Sequence, residues 1–152
     1  MELQLLATAA FGLQTVVVRQ LADLGYDAKI VRPGRIEFVG DVRAVCRANL
    51  WLRSADRVLV ELARFAAADF DALFDTVREL PWEEWIAPDA AIPVTGRSHK
   101  SQLTSVPACQ RTVKKAIVER LASHAGCASL AEAGSAVDAQ VGRFNGGGSI
   151  CL

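Results

Sequence analysis

Leu3–Thr8 (LQLLAT) is a short apolar run that predicts a first strand. In the following GLQTVVVRQLADLG, residues Leu13, Val17, Gln20, Leu21 and Leu24 fall at helical spacing, and Gly25 stands where a C-terminal cap belongs. The β-branched run Val16–Val18 lowers helix propensity, so the spacing alone carries this helix. AKIVRPGRIEFVG predicts a hairpin: Pro33 presets its own φ and Gly34 supplies the positive φ of a type II turn. Ile30 and Val31 lie on one arm; Ile36, Phe38 and Val39 lie on the other. Asp41 is placed to cap a second helix, with apolar positions at Val42, Val45, Cys46 and Leu50 to Leu52. Arg57–Phe65 (RVLVELARF) alternates as a strand, with Val58, Val60 and Leu62 on one face and Glu61 on the other.

The order β-α-β-β-α-β over about residues 2–65 predicts an α+β ferredoxin-like unit, two helices covering one face of an antiparallel sheet. The pattern then changes. Asp69–Leu80 (DFDALFDTVREL) carries an apolar stripe of Phe70, Leu73, Phe74, Val77 and Leu80, and Asp69 and Asp71 suit a helix N-terminus. Pro81-Trp82 ends that helix, and Trp82 and Trp85 are expected to dock as aromatics. Ala91–Thr95 predicts a strand whose Pro93 points to an edge. Gly96–Ser105 reads as a polar loop, and Val106–Ala125 as the longest helix. After Gly126, Ala, Gly and Ser dominate without a period, which predicts a weakly structured tail.

Composition adds bounds. The 152 residues are 51% apolar, enough for a globular core, and no segment approaches the length of a membrane-spanning helix. MELQLLATAA lacks the basic and long apolar regions of a signal peptide, so a cytoplasmic protein is expected. Cys46, Cys109, Cys127 and Cys151 form no C-x-x-C, and only His99 and His124 could join them. This spacing predicts free, buried or half-buried thiols rather than a zinc site or a disulfide framework.

The formal net charge is zero, but residues 1–95 carry 10 basic against 14 acidic side chains and residues 96–121 carry 6 against 1. That second stretch is GRSHKSQLTSVPACQRTVKKAIVERL. At about 100° per residue, Cys109, Val113, Ile117 and Leu121 share one side of the helix, and Arg111, Lys114 and Lys115 share the other. Arg120 falls near the apolar edge. Pro107 suits the first turn and Ser105 the N-cap. Ahead of the helix stand Arg97, Ser98, Lys100, Ser101 and Thr104. Cations, hydroxyls and free backbone N–H groups that converge at a helix N-terminus suit phosphate, and so a polyanion such as RNA. The RNA-contacting set expected is Arg97, Ser98, Lys100, Ser101, Thr104, Arg111, Lys114 and Lys115; from charge alone, a solvated helix face is an equal alternative.

No catalytic residue is expected. Glu83-Glu84 reads as a solvated pair, and Cys109 lies on the core stripe rather than poised beside His124. Gly146–Gly148 has no helix behind it, so it offers no nucleotide cradle of the strand–loop–helix kind, and no metal or cofactor site is expected in this chain.

Three blocks, GDVRAVCRANLWLRSADRVLVELARF, FDALFDTVRELPWEEW and the basic stretch above, resemble the N-terminal part of bacterial THUMP-domain RNA methyltransferases. Within these the similarity is to the large-subunit rRNA guanine exocyclic-amine methyltransferases, over about residues 1–125. The resemblance implies a ferredoxin-like domain over 1–66, a partial THUMP domain over 67–126 that binds RNA, and a divergent tail over 127–152. In the full-length family a methyltransferase domain that uses S-adenosylmethionine follows, with an Asn/Asp-Pro-Pro-aromatic motif. No Pro-Pro pair occurs here. The expectation is a truncated form that cannot methylate alone, partnered by large-subunit rRNA and free of membrane; a frameshift is one alternative origin of the tail. A separate catalytic subunit could pair with it. Loss of the family's later strands would expose Val113, Ile117 and Leu121 and favour association, unless the tail covers them. The alternative is a small ferredoxin-like domain for ligand binding or oligomerisation.

Overall fold

The computed structural model describes residues 1–66, 69–99, 105–126, 134–144 and 147–152. The chain divides into two compact units, Met1–Glu61 and Leu62–Leu152.

In the first unit, β1 (Leu3–Thr8), α1 (Gln14–Asp23), β2 (Ala28–Arg32), β3 (Arg35–Gly40), α2 (Val42–Trp51) and the start of β4 (Arg57–Ala66) follow the expected order. The strands lie β2-β3-β1-β4, with every pair antiparallel. Leu5 sits opposite Phe38 and Val60, and Ala7 opposite Ile36 and Val58, so one register gathers the apolar row beneath the helices. Val17 and Leu21 bury completely. Gly25, at φ +89°, ends α1: its N–H bonds Ala22 and the next, from Tyr26, reaches back to Leu21. Gly34 adopts φ +74°, as the hairpin turn requires.

Asp41 caps α2, its side chain accepting from the Ala44 amide at 2.9 Å. The buried side of α2 differs from the expectation. Ala44 and Ala48 are fully buried, whereas Val42, Leu50 and Trp51 are 60%, 79% and 62% exposed and Cys46 is exposed. At the start of α2 the reason is a close approach: a Cβ on Gly40 would clash with the Ala44 Cβ, so only small residues fit where β3 turns into the helix.

The second unit begins with Leu62–Ala66 of β4. It continues through α3 (Phe70–Glu79), a single 3-10 turn (Trp82–Glu84), β5 (Val94–His99), α4 (Val106–Ala125), β6 (Ala139–Phe144) and β7 (Gly147–Cys151). Its strand order is β4-β7-β6-β5. β5 and β6 are parallel, joined by a crossover that contains α4, and β6 and β7 are antiparallel. Asp69 caps α3 through the Ala72 amide at 2.8 Å. Helices α3 and α4 pack over a core of Leu73, Val77, Trp82, Ile86, Ile92, Cys109, Val113, Ile117 and Leu121. The Trp82 indole N–H donates to the Val77 carbonyl at 2.6 Å, which lets the ring bury without an orphaned donor.

Two expectations about this unit are corrected. The described residues beyond 126, 134–144 and 147–152, are no loose tail. Gly134, Val137 and Ala139 donate backbone bonds to Asp89, Ala91 and Pro93, and β6 and β7 follow. Ala139, Val141 and Ile150 then bury in the same core as α4. Hence Val113, Ile117 and Leu121 are covered, at 0–2% exposure: of the two alternatives, the end of the chain covers them rather than leaving a surface for association. Small residues hid these strands: Gly148 lies against Phe65, whose ring would come within 2.7 Å of any Cβ. In the second correction β5 runs on to His99, so Gly96, Arg97 and Ser98 are strand residues rather than loop. Their partners are Val141, Gly142 and Arg143, which lie in the segment whose pattern predicted no strand.

Candidate nucleic-acid interface

The basic stretch is organised around one junction, where β5 leads towards α4. Gly96 marks the closest approach: a Cβ there would meet Gln110 Cγ and Val106 Cγ1 at 3.1 Å. Gln110, which the charge pattern did not single out, donates from its side-chain amide to the Val94 carbonyl at 3.0 Å and ties the start of α4 to β5. Pro107 lies in the first turn as expected. Ser105 holds the N-cap position in extended geometry, but its side chain makes no capping bond. The first-turn N–H groups of α4 therefore gain nothing from Ser105, and the positive end of the helix dipole stands at the same junction.

Arg97 and Ser98 are placed by the backbone of β5. Lys100, Ser101 and Thr104 lie outside the described residues. On α4, Pro107, Arg111 and Lys115 form an exposed line at four-residue spacing. Lys114 departs from the expected fully exposed row: it is half-buried and engaged in the structure. Lys115 leans towards α3. Its Nζ lies 5.6 Å from the centroid of the Phe74 ring and 3.7 Å from Glu119 Oε1, while the side chain stays 70% exposed. An exposed pair of this kind is weak and exchanges readily with other anions.

Arg120 is the cation that sequence placed at the apolar edge, and the structure gives it a partner. Its Nε and Nη2 donate to Glu83 Oε2 and Oε1 at 3.1 and 2.6 Å. The two-pronged bond joins α4 to the 3-10 turn. The Arg120 guanidinium is the main cause that holds the Glu83 carboxyl down to about 2, helped by a backbone hydrogen bond; His124 adds a smaller pull. Glu83 in turn raises the Arg120 guanidinium above its ordinary range. Arg120 is thus a structural cation, which leaves Arg111 and Lys115 as the exposed Arg and Lys side chains of α4. The Glu83-Glu84 doublet held no clue to this, because its partner lies 37 residues away.

Of the glycine cluster, Gly146 lies outside the described residues. Gly147 and Gly148 belong to β7, paired with Phe144 and Arg143, and the space above Gly148 is filled by Phe65. The described residues contain no group of three or more His, Cys, Asp or Glu that could hold a metal. No described helix is long and apolar enough to cross a membrane.

Comparison with known proteins matches residues 4–59 to the RlmL ferredoxin-like domain and residues 67–125 to the THUMP domain. The chain carries an RlmL-type ferredoxin-like domain and a THUMP domain. It is 49% identical over 125 residues to a Bacillus subtilis protein named "Putative RNA methyltransferase YpsC", a match that covers 82% of this chain and 32% of that one. It is 38% identical over 121 residues to "Ribosomal RNA large subunit methyltransferase K/L" of Methylococcus capsulatus, covering 79% of this chain and 16% of the other. A solved structure from Listeria monocytogenes, described as "a predicted N6-adenine-specific DNA methylase", superposes with a TM-score of 0.93 at 43% identity. It covers 99% of this chain and 40% of that one. Another, "a putative methyltransferase complexed with SAH", gives 0.92 at 34% identity and covers 99% and 41%. The chain therefore spans about a third or less of the length of these two curated relatives. The α4 junction lies inside the THUMP match, and so do Glu83 and Arg120.

Proposed function

We propose that this chain is the RNA-holding portion of a methyltransferase that acts on large-subunit rRNA in the cytoplasm. It seats structured RNA for a catalytic body outside these 152 residues. That body uses S-adenosylmethionine and methylates a guanine exocyclic amine. The observation that carries the reading is the THUMP match over residues 67–125, with the basic stretch gathered at the β5–α4 junction. The relative named as a large-subunit rRNA methyltransferase supports the substrate, and the relative solved with SAH supports the cofactor of the partner body. RNA phosphates would meet Arg97, Ser98, Lys100, Ser101 and Thr104 ahead of the helix and Arg111, Lys114 and Lys115 along it. Of these, Arg111 and Lys115 combine exposure with a shared helix face.

Filter binding to a structured fragment of large-subunit rRNA at two salt concentrations tests the proposal. Binding should weaken steeply with salt, as counterion release requires. The double variant Arg111→Ala with Lys115→Ala should bind more weakly and lower the salt slope by about 1 for each cation that meets a phosphate. Equal affinity and slope in variant and parent would overturn it.

A further inference from the structure

Among the described side chains, the large apolar ones that are exposed all lie in Met1–Glu61. On α2 they are ordered. Val42, Cys46 and Leu50 follow one another at four-residue spacing and point about 180° from the buried Ala44–Ala48 side. Arg43, Arg47 and Trp51 form the adjoining row. Arg47 is already held in place: its guanidinium sits 5.6 Å from the centroid of the Tyr26 ring, and Nη1 reaches the Tyr26 hydroxyl at 3.5 Å. Burying the small side and presenting the large side to water costs apolar hydration that a lone domain has no reason to carry.

We propose that this face of α2 docks a folded protein surface with an apolar centre and an acidic rim, on the methyltransferase body that works with this chain. The inference rests on the function proposed above. Three observations choose the occupant. Val42, Cys46 and Leu50 provide neither stacking planes nor strong hydrogen-bonding groups, so the centre of the stripe suits apolar side chains rather than nucleotides. From Val42 to Ala55 the chain has three arginines and no carboxylate. A second copy would set arginine against arginine, whereas a rim of Asp and Glu would complement them. Trp and Arg are among the residue types that most often dominate protein interfaces, and Arg43, Arg47 and Trp51 adjoin the stripe. The relatives have the necessary extra body, since this chain covers only 40% and 41% of the two solved methyltransferases.

Cys46 is a reporter at the centre of the stripe, because its thiol is exposed while Cys109 and Cys151 are buried. The probe is the part of the methyltransferase solved with SAH that lies outside the match, made as a separate polypeptide and shown by calorimetry to bind SAH. Mixed with the full 152-residue chain carrying Cys127→Ser, it should slow maleimide labelling of Cys46 about tenfold, and structured RNA should not. Leu50→Glu and, separately, Arg43→Glu with Arg47→Glu should each weaken the complex about tenfold while RNA binding stays at the parent level. Leu50 is 79% exposed, so its substitution leaves the fold intact, which circular dichroism verifies. The proposal is overturned if the SAH-competent probe leaves Cys46 unprotected. It is equally overturned if RNA or self-association of the chain protects Cys46, or if both variants bind as the parent does. Loss of RNA binding in the parent would instead defeat the proposed function, and the two failures read out separately.

Discussion

Helix α2 turns Leu50 and Trp51 outward and buries Ala44 and Ala48; helix α4 buries Val113, Ile117 and Leu121 and turns Arg111 and Lys115 outward. Both helices lie against β-structure, yet only α4 obeys the usual sorting of apolar from charged side chains. The difference comes from the space beneath each helix. Where β3 turns into α2, Gly40 and Ala44 pack so closely that neither position takes a larger side chain. Under α4 there is room for aliphatic side chains because α3, β6 and β7 contribute Leu73, Val77, Val141 and Ile150 to the same core. A domain that can bury its own large residues presents charge, and in the THUMP domain that charge stands at the proposed RNA site. The first domain buries Leu5, Leu21, Ile36 and Phe38, but α2 contributes only small residues to that core and presents its large ones as an apolar stripe, which then needs another surface.

The comparison can be broken at its strongest point by emptying the second core. Trp82 is fully buried and hydrogen-bonded, so Trp82→Ala should cost about 3–5 kcal/mol in urea denaturation. Ile150→Ala should cost about 2–5 kcal/mol, because β7 completes that core. A cost near zero would mean that the segment after residue 126 is the loose tail its composition suggested. The cap of α3 is worth less: Asp69→Ala should lose about 1 kcal/mol, read from the same denaturation curves.

A smaller effect is expected from pH, since solvent reaches the Glu83–Arg120 pair. The Glu83 carboxyl is held at about 2, below its ordinary 4.5, so it favours the folded state above 4.5 and the benefit fades as pH falls towards 2. Glu83→Gln should remove that part of the acid dependence, measured as melting temperature between those two pH values. The smallest effect belongs to α2. Leu50→Ser should change stability by no more than about 0.5 kcal/mol, although the same change at a buried leucine would be severe. A large loss there would show that the stripe serves the fold rather than a partner.

Much of this is legible in the sequence. The caps at Asp41 and Asp69, the Gly25 terminus and the Pro33-Gly34 turn depend on neighbours a few residues away, and each occurs where the residues predicted it. The phase of α4 was equally readable, because a twenty-residue helix repeats its signal several times. Lys114 is half-buried where helical phase predicts exposure, because phase alone does not reveal what packs alongside a helix. Arg120 looked misplaced for the same reason, and Glu83 explains it only once the 3-10 turn is folded against α4.

What the sequence determined by itself, then, is local: which segments are helices, where they start and stop, and that positive charge gathers between residues 96 and 121. Only the tertiary structure decided which side of α2 is buried, that β5 extends through Arg97 and Ser98, and that the Ala- and Gly-rich end of the chain folds into strands. The physical reason is shared by all three. A strand takes its stability from a backbone ladder with a partner distant in sequence, and a close helix–sheet contact selects small side chains, so neither leaves a strong hydrophobic period to be read.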